Sequence, residues 1–486
     1  MHTTAANLNS KPRPTAGLGY WMERVLEECE KARVDFAADP VHDLRVALRR
    51  CRSMADGLMV FDPDKSWKSM KRAVKPLFNA LGELRDTQVM EELVQKIGAA
   101  DDPVTSRILE YARGCERELK AKALAELDKF DRKAWRAWSK QLPRRATRIR
   151  LGSLVFRHLA LERLNEAREL QRQALRNRSQ VGLHRLRIGL KRFRYIVENF
   201  LPELHDAWIS DLKELQDLLG EVHDLDVLWN KMAELKAFPA AESRSRWRGL
   251  ITEERVKRID RYRAKMLGKD TLWSTWKNAL PKDEEVRQAG YERMRIWASF
   301  LDPDVHHSQH VSRLALKLYD GLVHSNGLRM PEFGHARDIL RAASVMYEVG
   351  RAKSKKGHHK KSSKLIGELG VPLGWGSEDL ALAAAVARYH RGALPQGRQR
   401  ELVRLSTDKR KIAVNLAAVL RLANAFGSNG TGSIQDLEVR PGDRMLTILA
   451  KGYSPRNKMA ENIAAARHLL ELVANRPVMV RRMPGA

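Results

Sequence analysis

Apolar and polar positions repeat with helical period over most of the chain and alternate with strand period almost nowhere. Apolar residues recurring three and four apart predict helices at 18–37, 40–60, 65–97, 102–127, 132–140, 150–176, 180–200, 206–235 and 240–266. The breaks fall at Asp62-Pro63-Asp64, Asp102-Pro103, Leu142-Pro143, Leu201-Pro202 and Phe238-Pro239. Long helices of this kind suit antiparallel bundles. ALPKDEEV at 279–286, a proline followed by a burst of charge, marks a boundary. Beyond it shorter helices are expected at 286–299, 304–325, 335–351, 361–370, 377–391 and 409–427. LEVRPGDRMLTILAKG then alternates around a Pro-Gly-Asp turn, predicting a β-hairpin near 435–451, before a last helix at 456–475. Residues 1–17 are polar, contain Pro and Gly, and are expected to form a mobile arm. The fold class is mainly all-α.

One predicted helix recurs. In VHDLRVALRRCR at 41–52, His42, Arg45, Arg49 and Arg52 fall within about 80° of one another on a helical wheel. In VGLHRLRIGLKRFR at 181–194, His184, Arg187, Lys191 and Arg194 repeat the same spacing. The following helices match too: Lys75, Leu77, Leu81-Gly82-Glu83 and Asp86 against Lys213, Leu215, Leu219-Gly220-Glu221 and Asp224. The two copies span about 18–140 and 150–275, a duplicated helical unit of two bundles. A core requires apolar recurrence, but it has no need of four aligned cations. A solvated face is the plain alternative, yet such faces mix signs, and these stripes hold almost no acids. Arginine dominates them, and its planar fork grips paired anionic oxygens. If the stripes face each other, a polyanion between them is held from both sides.

Charge strengthens this reading. The 486-residue chain carries a formal net charge of +29, with bases in excess in both halves, so a basic tail is not the cause. Such a balance implies a polyanionic partner: nucleic acid, an anionic membrane surface or inorganic polyphosphate. Only Phe193 and, just beyond, Tyr195 interleave with the stripes, whereas single-strand nucleic-acid sites alternate bases with stacking rings. Cys29, Cys51 and Cys115 lack metal-ligand spacing and read as reduced thiols of a cytoplasmic protein. No signal-peptide pattern and no membrane-spanning apolar run is seen.

Residues 20–275 resemble the CHAD family, the conserved-histidine α-helical domain. HDLRVALRRCR at 42–52 and LGELRD at 81–86 carry the likeness, as do HRLRIGLKRFRYIVE at 184–198 and LQDLLGEVHDLDV at 215–227. The resemblance implies binding of inorganic polyphosphate in a basic channel between two helical bundles. The expected contacts are His42, Arg45, Arg49, Arg50, Arg52 and Lys75 from the first copy. The second copy would supply His184, Arg187, Lys191, Arg192, Arg194 and Lys213. The histidines would bind more strongly when protonated, or would simply donate to a nearby acid at a helix start. Glu83, Asp86, Glu221 and Asp224 are expected to orient the arginines by pairing.

Residues 286–486 resemble the C-terminal helical domain of the exopolyphosphatase and guanosine pentaphosphate phosphatase family, an HD-type fold. HSQHVSRLALKLYDGL at 307–322, AASVMYEVGRAKSKKGHHKKSSKLI at 342–366, AVARYHRGALP at 385–395 and LAAVLRLANAF at 416–426 carry it. A metal-dependent HD hydrolase uses a His, a His-Asp pair and a distant Asp to hold ions that activate water. Here the first His is His307, but the pair falls on Tyr347-Glu348 and the last Asp on Asn424. No metal site of the usual kind and no cofactor is therefore expected. KSKKGHHKKSSK at 353–364 is strongly basic, a loop that either contacts phosphate or is merely solvated. Lys355, Lys356, His358, His359, Lys360 and Lys361 are its candidates for secondary anion binding, a surface that Arg388, His390 and Arg391 would extend. The expectation is a non-catalytic, cytoplasmic polyphosphate-binding protein, associated with polyphosphate granules. The alternatives are a metal-dependent phosphohydrolase working through the HD-like domain, and a nucleic-acid-binding protein.

Overall fold

The computed structural model describes residues 17–177, 179–328, 334–427, 434–440, 442, 444–456 and 458–484. Apart from Gly17, the arm expected over 1–17 lies outside the described residues. The chain divides into two units, one ending at Lys282 and one starting at Asp283.

The first unit is helical throughout: α1 (Leu18–Val34), α2 (Ala38–Leu58), α3 (Lys65–Ala73), α4 (Lys75–Ile97), α5 (Pro103–Asp128), α6 (Arg132–Ala146), α7 (Leu154–Asn177), α8 (Gln180–Phe200), α9 (Pro202–Glu234), α10 (Ala241–Met266) and α11 (Leu272–Asn278). The duplication is visible in the packing. α2 rests on α1 as α8 rests on α7, and α4 pairs with α5 as α9 pairs with α10. The equivalents also meet each other, α2 against α8 and α4 against α9. Leu93, Val94, Val104 and Ile108 of the first copy share one buried cluster with Leu225, Leu228, Met232 and Trp247 of the second. The apolar faces of α2 (Leu44, Ala47, Leu48, Cys51) and α8 (Leu186, Leu190, Phe193, Val197) are buried as the periodicity predicted.

α9 begins at Pro202 rather than 206, α11 is a helix the periodicity did not predict, and two further boundaries differ for reasons that can be named. The predicted helix at 65–97 is two helices, because Pro76 in the first turn of α4 lacks the N–H that would continue the ladder. Conversely, α6 runs through Pro143 to Ala146. One contact fixes how closely α2 and α8 approach. A Cβ on Gly57 would lie 2.4 Å from Cε2 of Phe200 and 3.2 Å from Cδ1 of Ile196.

The second unit contains α12 (Asp283–Leu301), α13 (Val305–His324), α14 (Ala336–Met346), a 3-10 turn (Val349–Ala352), α15 (His358–Gly367), α16 (Ser377–Tyr389), α17 (Arg400–Val403), α18 (Thr407–Phe426) and α19 (Lys458–Ala474). α13, α14, α16 and α18 surround one apolar core. The hairpin is present as β1 (Asp436–Arg440) antiparallel to β2 (Leu446–Lys451), paired Asp436 to Lys451; Pro441 and Asp443 of its turn lie outside the described residues. A strand the periodicity did not predict, β3 (Val478–Arg482), pairs parallel to β2. The basic stretch at 353–364 is not a loop throughout, since α15 begins at His358.

Candidate functional site

Where α2 meets α8, four bases come together: Arg45 and Arg49 from α2, Arg187 and Lys191 from α8. Each is half-buried. None has a carboxylate within ion-pair distance among the described residues, and the Nε atoms of Arg45, Arg49 and Arg187 are buried without a hydrogen-bond partner. The electrostatic consequence falls on the lysine. Burial, then Arg187, Arg45 and Arg49, push the Lys191 ammonium down to about 8, with Asp86 opposing. Burial likewise lowers the Arg45 guanidinium, again against Asp86. Uncompensated cations this close are mutually repulsive, a cost a bound anion would relieve.

α9 closes one side of the cluster. A Cβ on Gly220 would lie 4.0 Å from Nε of Arg187. Asp224 is pushed up to about 6, chiefly by burial, although Arg187 pulls it down. His223 stacks near His184, ring centroids 4.6 Å apart. Burial, Arg187 and His184 hold it down to about 4, so it is neutral at pH 7. Sequence reasoning did not single out His223, yet a signal existed: it occupies the place that Arg85 holds in the first copy. A cavity of about 390 Å3 lies beside these helices, lined in part by Ser53, Asp56, Lys71, Arg163, Arg192 and Tyr195.

The remaining nominated bases are placed otherwise. Arg50 pairs with buried Glu198 at 2.5 Å, donates to Asn199 Oδ1, and lies over the Trp21 ring. Asn199 in turn donates to Ser53 Oγ, so this is a polar lock between α2 and α8 rather than a free cation. Arg194 shares Glu198 at 3.7 Å. Arg52 donates to the Lys71 carbonyl and covers the Phe78 ring. Arg192 pairs with Glu166. His42, Lys75 and Lys213 are exposed. The recurring acids divide. Glu83 and Glu221 pair outward with Lys122 and Arg258, while Asp86 and Asp224 act on the cluster.

In the second unit, two of the residues at the HD positions are bound to each other. Tyr347 Oη donates to Asn424 Oδ1 at 3.1 Å. Burial, Glu348 and Asp302 hold the Tyr347 phenol well above its ordinary range, so it stays protonated. His307 lies by the end of α18, its Cε1 3.1 Å from where a Gly427 Cβ would stand. A neutral phenol engaged by a neutral amide does not fit the usual HD metal set. Ser308 Oγ donates to Asp302 at 2.6 Å.

Residues 20–233 match the family model described as the CHAD domain. The first unit is a CHAD domain. Residues 286–444 match a second model, Ppx/GppA phosphatase, domain III, in the order expected. A crystal structure of the CHAD domain from the plant Ricinus communis is similar at 22% identity and a TM-score of 0.40, covering 52% of this chain and 89% of that one. No curated protein matches. No helix among the described residues is long and apolar enough to cross a membrane.

Of the secondary anion candidates outside the CHAD domain, Lys355, Lys356, Lys360 and Arg391 are exposed and Lys361 half-buried. Arg388 is drawn to Glu401 at 3.7 Å and lies over the Tyr389 ring. Neither His358 nor His390 serves as a surface anion contact, because both are buried, facing Glu348. His359 is held down to about 4 by burial and Arg388, so it carries no charge to offer an anion at pH 7.

Proposed function

We propose that the CHAD domain binds inorganic polyphosphate at the α2–α8 face without catalysing its breakdown. The supporting observation is the convergence of Arg45, Arg49, Arg187 and Lys191 from both copies, half-buried and without paired acids. A linear phosphate chain presents closely spaced anionic oxygens and no rings. It therefore asks for cations and little else, and the scarcity of aromatics among the α2 and α8 stripe residues fits it better than a single-stranded nucleic acid. The engagement of Tyr347 by Asn424 favours a second unit without the usual metal-driven hydrolysis. In a cell the protein would gather at polyphosphate granules in the cytoplasm.

Filter binding of long-chain polyphosphate to the purified full chain tests this. Arg45, Arg49, Arg187 and Lys191 changed together to Ala should lose at least a hundredfold in affinity, and wild-type binding should weaken steeply with salt. Unchanged affinity in the quadruple variant, or displacement by duplex DNA at equal phosphate concentration, refutes the proposal. Metal-dependent phosphate release from polyphosphate that vanishes in His307→Ala would favour the hydrolase reading instead.

A further inference from the structure

The second unit buries a group of side chains that the polyanion reading does not use. Glu348 follows α14, His358 opens α15, and His390 follows α16. They are 5%, 4% and 1% exposed. Their ligating atoms all lie within 4.8 Å of one another. Sequence reasoning found no partners for His358, because Glu348 and His390 come to it only through the fold.

We infer that Glu348, His358 and His390 form a binding site for one divalent transition-metal ion of the zinc type.

The tautomers are set for it. His358 Nδ1 lies 3.0 Å from the Lys355 carbonyl, and His390 Nδ1 lies 2.7 Å from the Ala387 carbonyl. A carbonyl only accepts, so each Nδ1 carries a proton, and in the neutral ring Nε2 then presents its lone pair. A backbone carbonyl holding one imidazole nitrogen is a usual second layer around a metal-ligating histidine. Both Nε2 atoms face Glu348 Oε1, at 3.3 Å for His358 and 3.9 Å for His390, and neither makes a hydrogen bond. With metal–ligand bonds of about 2.0–2.1 Å, the edge of a tetrahedron is about 3.3 Å. A charge-assisted hydrogen bond would instead draw the pair to about 2.7–2.9 Å. An ion pair between Glu348 and protonated His358 would also leave His390 Nε2 buried without a partner, whereas a metal ion satisfies all three groups.

The surroundings hold the three in place. Arg351 Nε lies 3.3 Å from Glu348 Oε2, which leaves Oε1 to face the imidazoles. The turn between Glu348 and His358 closes tightly: a Cβ on Gly350 would stand 2.3 Å from the His358 carbonyl oxygen. The Gly350 amide donates to Ser362 Oγ at 2.9 Å. The Tyr347 ring packs edge-on against His390, centroids 4.7 Å apart. Two imidazoles and one carboxylate suit zinc, with a fourth position for water or an anionic oxygen. The site shares Glu348 with the HD positions but takes neither His307 nor Asn424.

The test uses the full chain, stripped with a chelator and titrated with Zn2+ against a chromophoric competitor, with bound metal counted by mass spectrometry. One ion per chain is expected. Glu348→Gln and His390→Gln should each weaken binding at least tenfold, and exposed His306→Ala should leave it unchanged. No tight binding to the wild type, or binding that both Gln variants retain, overturns the inference. X-ray absorption on the zinc-loaded wild type keeps the test open if a variant fails to fold. Two imidazoles with an oxygen in a four-coordinate shell support the site, and an all-oxygen shell refutes it.

Discussion

Lys191 offers the sharpest test of the cationic cluster. In the free protein its ammonium is pushed down to about 8, first by burial and then by Arg187, Arg45 and Arg49. A polyphosphate chain on this face would cancel that repulsion and return the group towards its ordinary value of 10.5. Between these values binding must take up a proton, so affinity falls as pH rises. From pH 7 to pH 9 the loss is about tenfold, or ~1.4 kcal/mol. His223, held down to about 4, is neutral across that range, and Asp224, at about 6, is largely ionised. Lys191→Arg keeps its charge and should flatten the profile. Stability of the free protein moves the other way. The unfolded chain holds this proton to higher pH than the folded one, so raising the pH from 8 to 10.5 relieves a strain of at most ~3 kcal/mol. Lys191→Met should therefore be more stable than wild type at pH 7 and bind more weakly. Titration calorimetry at constant ionic strength, with long chains so that end groups contribute little, gives the affinities. A flat wild-type profile from pH 7 to 9, or an equal slope in Lys191→Arg, refutes the reasoning.

Other substitutions separate structure from ligand contact. Arg50→Ala leaves the buried Glu198 carboxylate with only the more distant Arg194 and should cost up to about 3 kcal/mol in urea unfolding. Its effect on polyphosphate affinity should be smaller than that of Arg49→Ala. Gly57→Ala drives a methyl into Phe200, which cannot retreat because it stacks on Phe156 at 4.2 Å; a loss of about 1–3 kcal/mol is expected by the same measurement. Tyr347→Phe leaves Asn424 Oδ1 without its donor and should lower the melting temperature, at about 1–2 kcal/mol.

Helical periodicity carried the architecture because each long helix buries one continuous stripe, and duplication doubled the signal. It placed Arg45, Arg49, Arg187 and Lys191 on one face of each helix, and the fold brings those faces together. It could not separate them from Arg50, Arg52, Arg192 and Arg194. Those bases end on Glu198, the Lys71 carbonyl or Glu166, partners that packing alone supplies. The metal triad was hidden for the same reason: its members lie on three elements, 42 residues apart at the extremes, with no local spacing to announce them. β3 is five residues long and finds its partner beyond a whole helix, so its short alternation carried little weight. The break at Val74 was legible in Pro76 but was outweighed by the apolar pattern on either side.

Each half of the duplicated unit owns only half of the cluster, two arginines on α2 and an arginine with a lysine on α8. An ancestor with a single copy could have assembled the same grip only by pairing with itself about a twofold axis, one surface meeting its own image. Within one chain the two copies need not match, and at corresponding places the first carries Arg85 and the second His223.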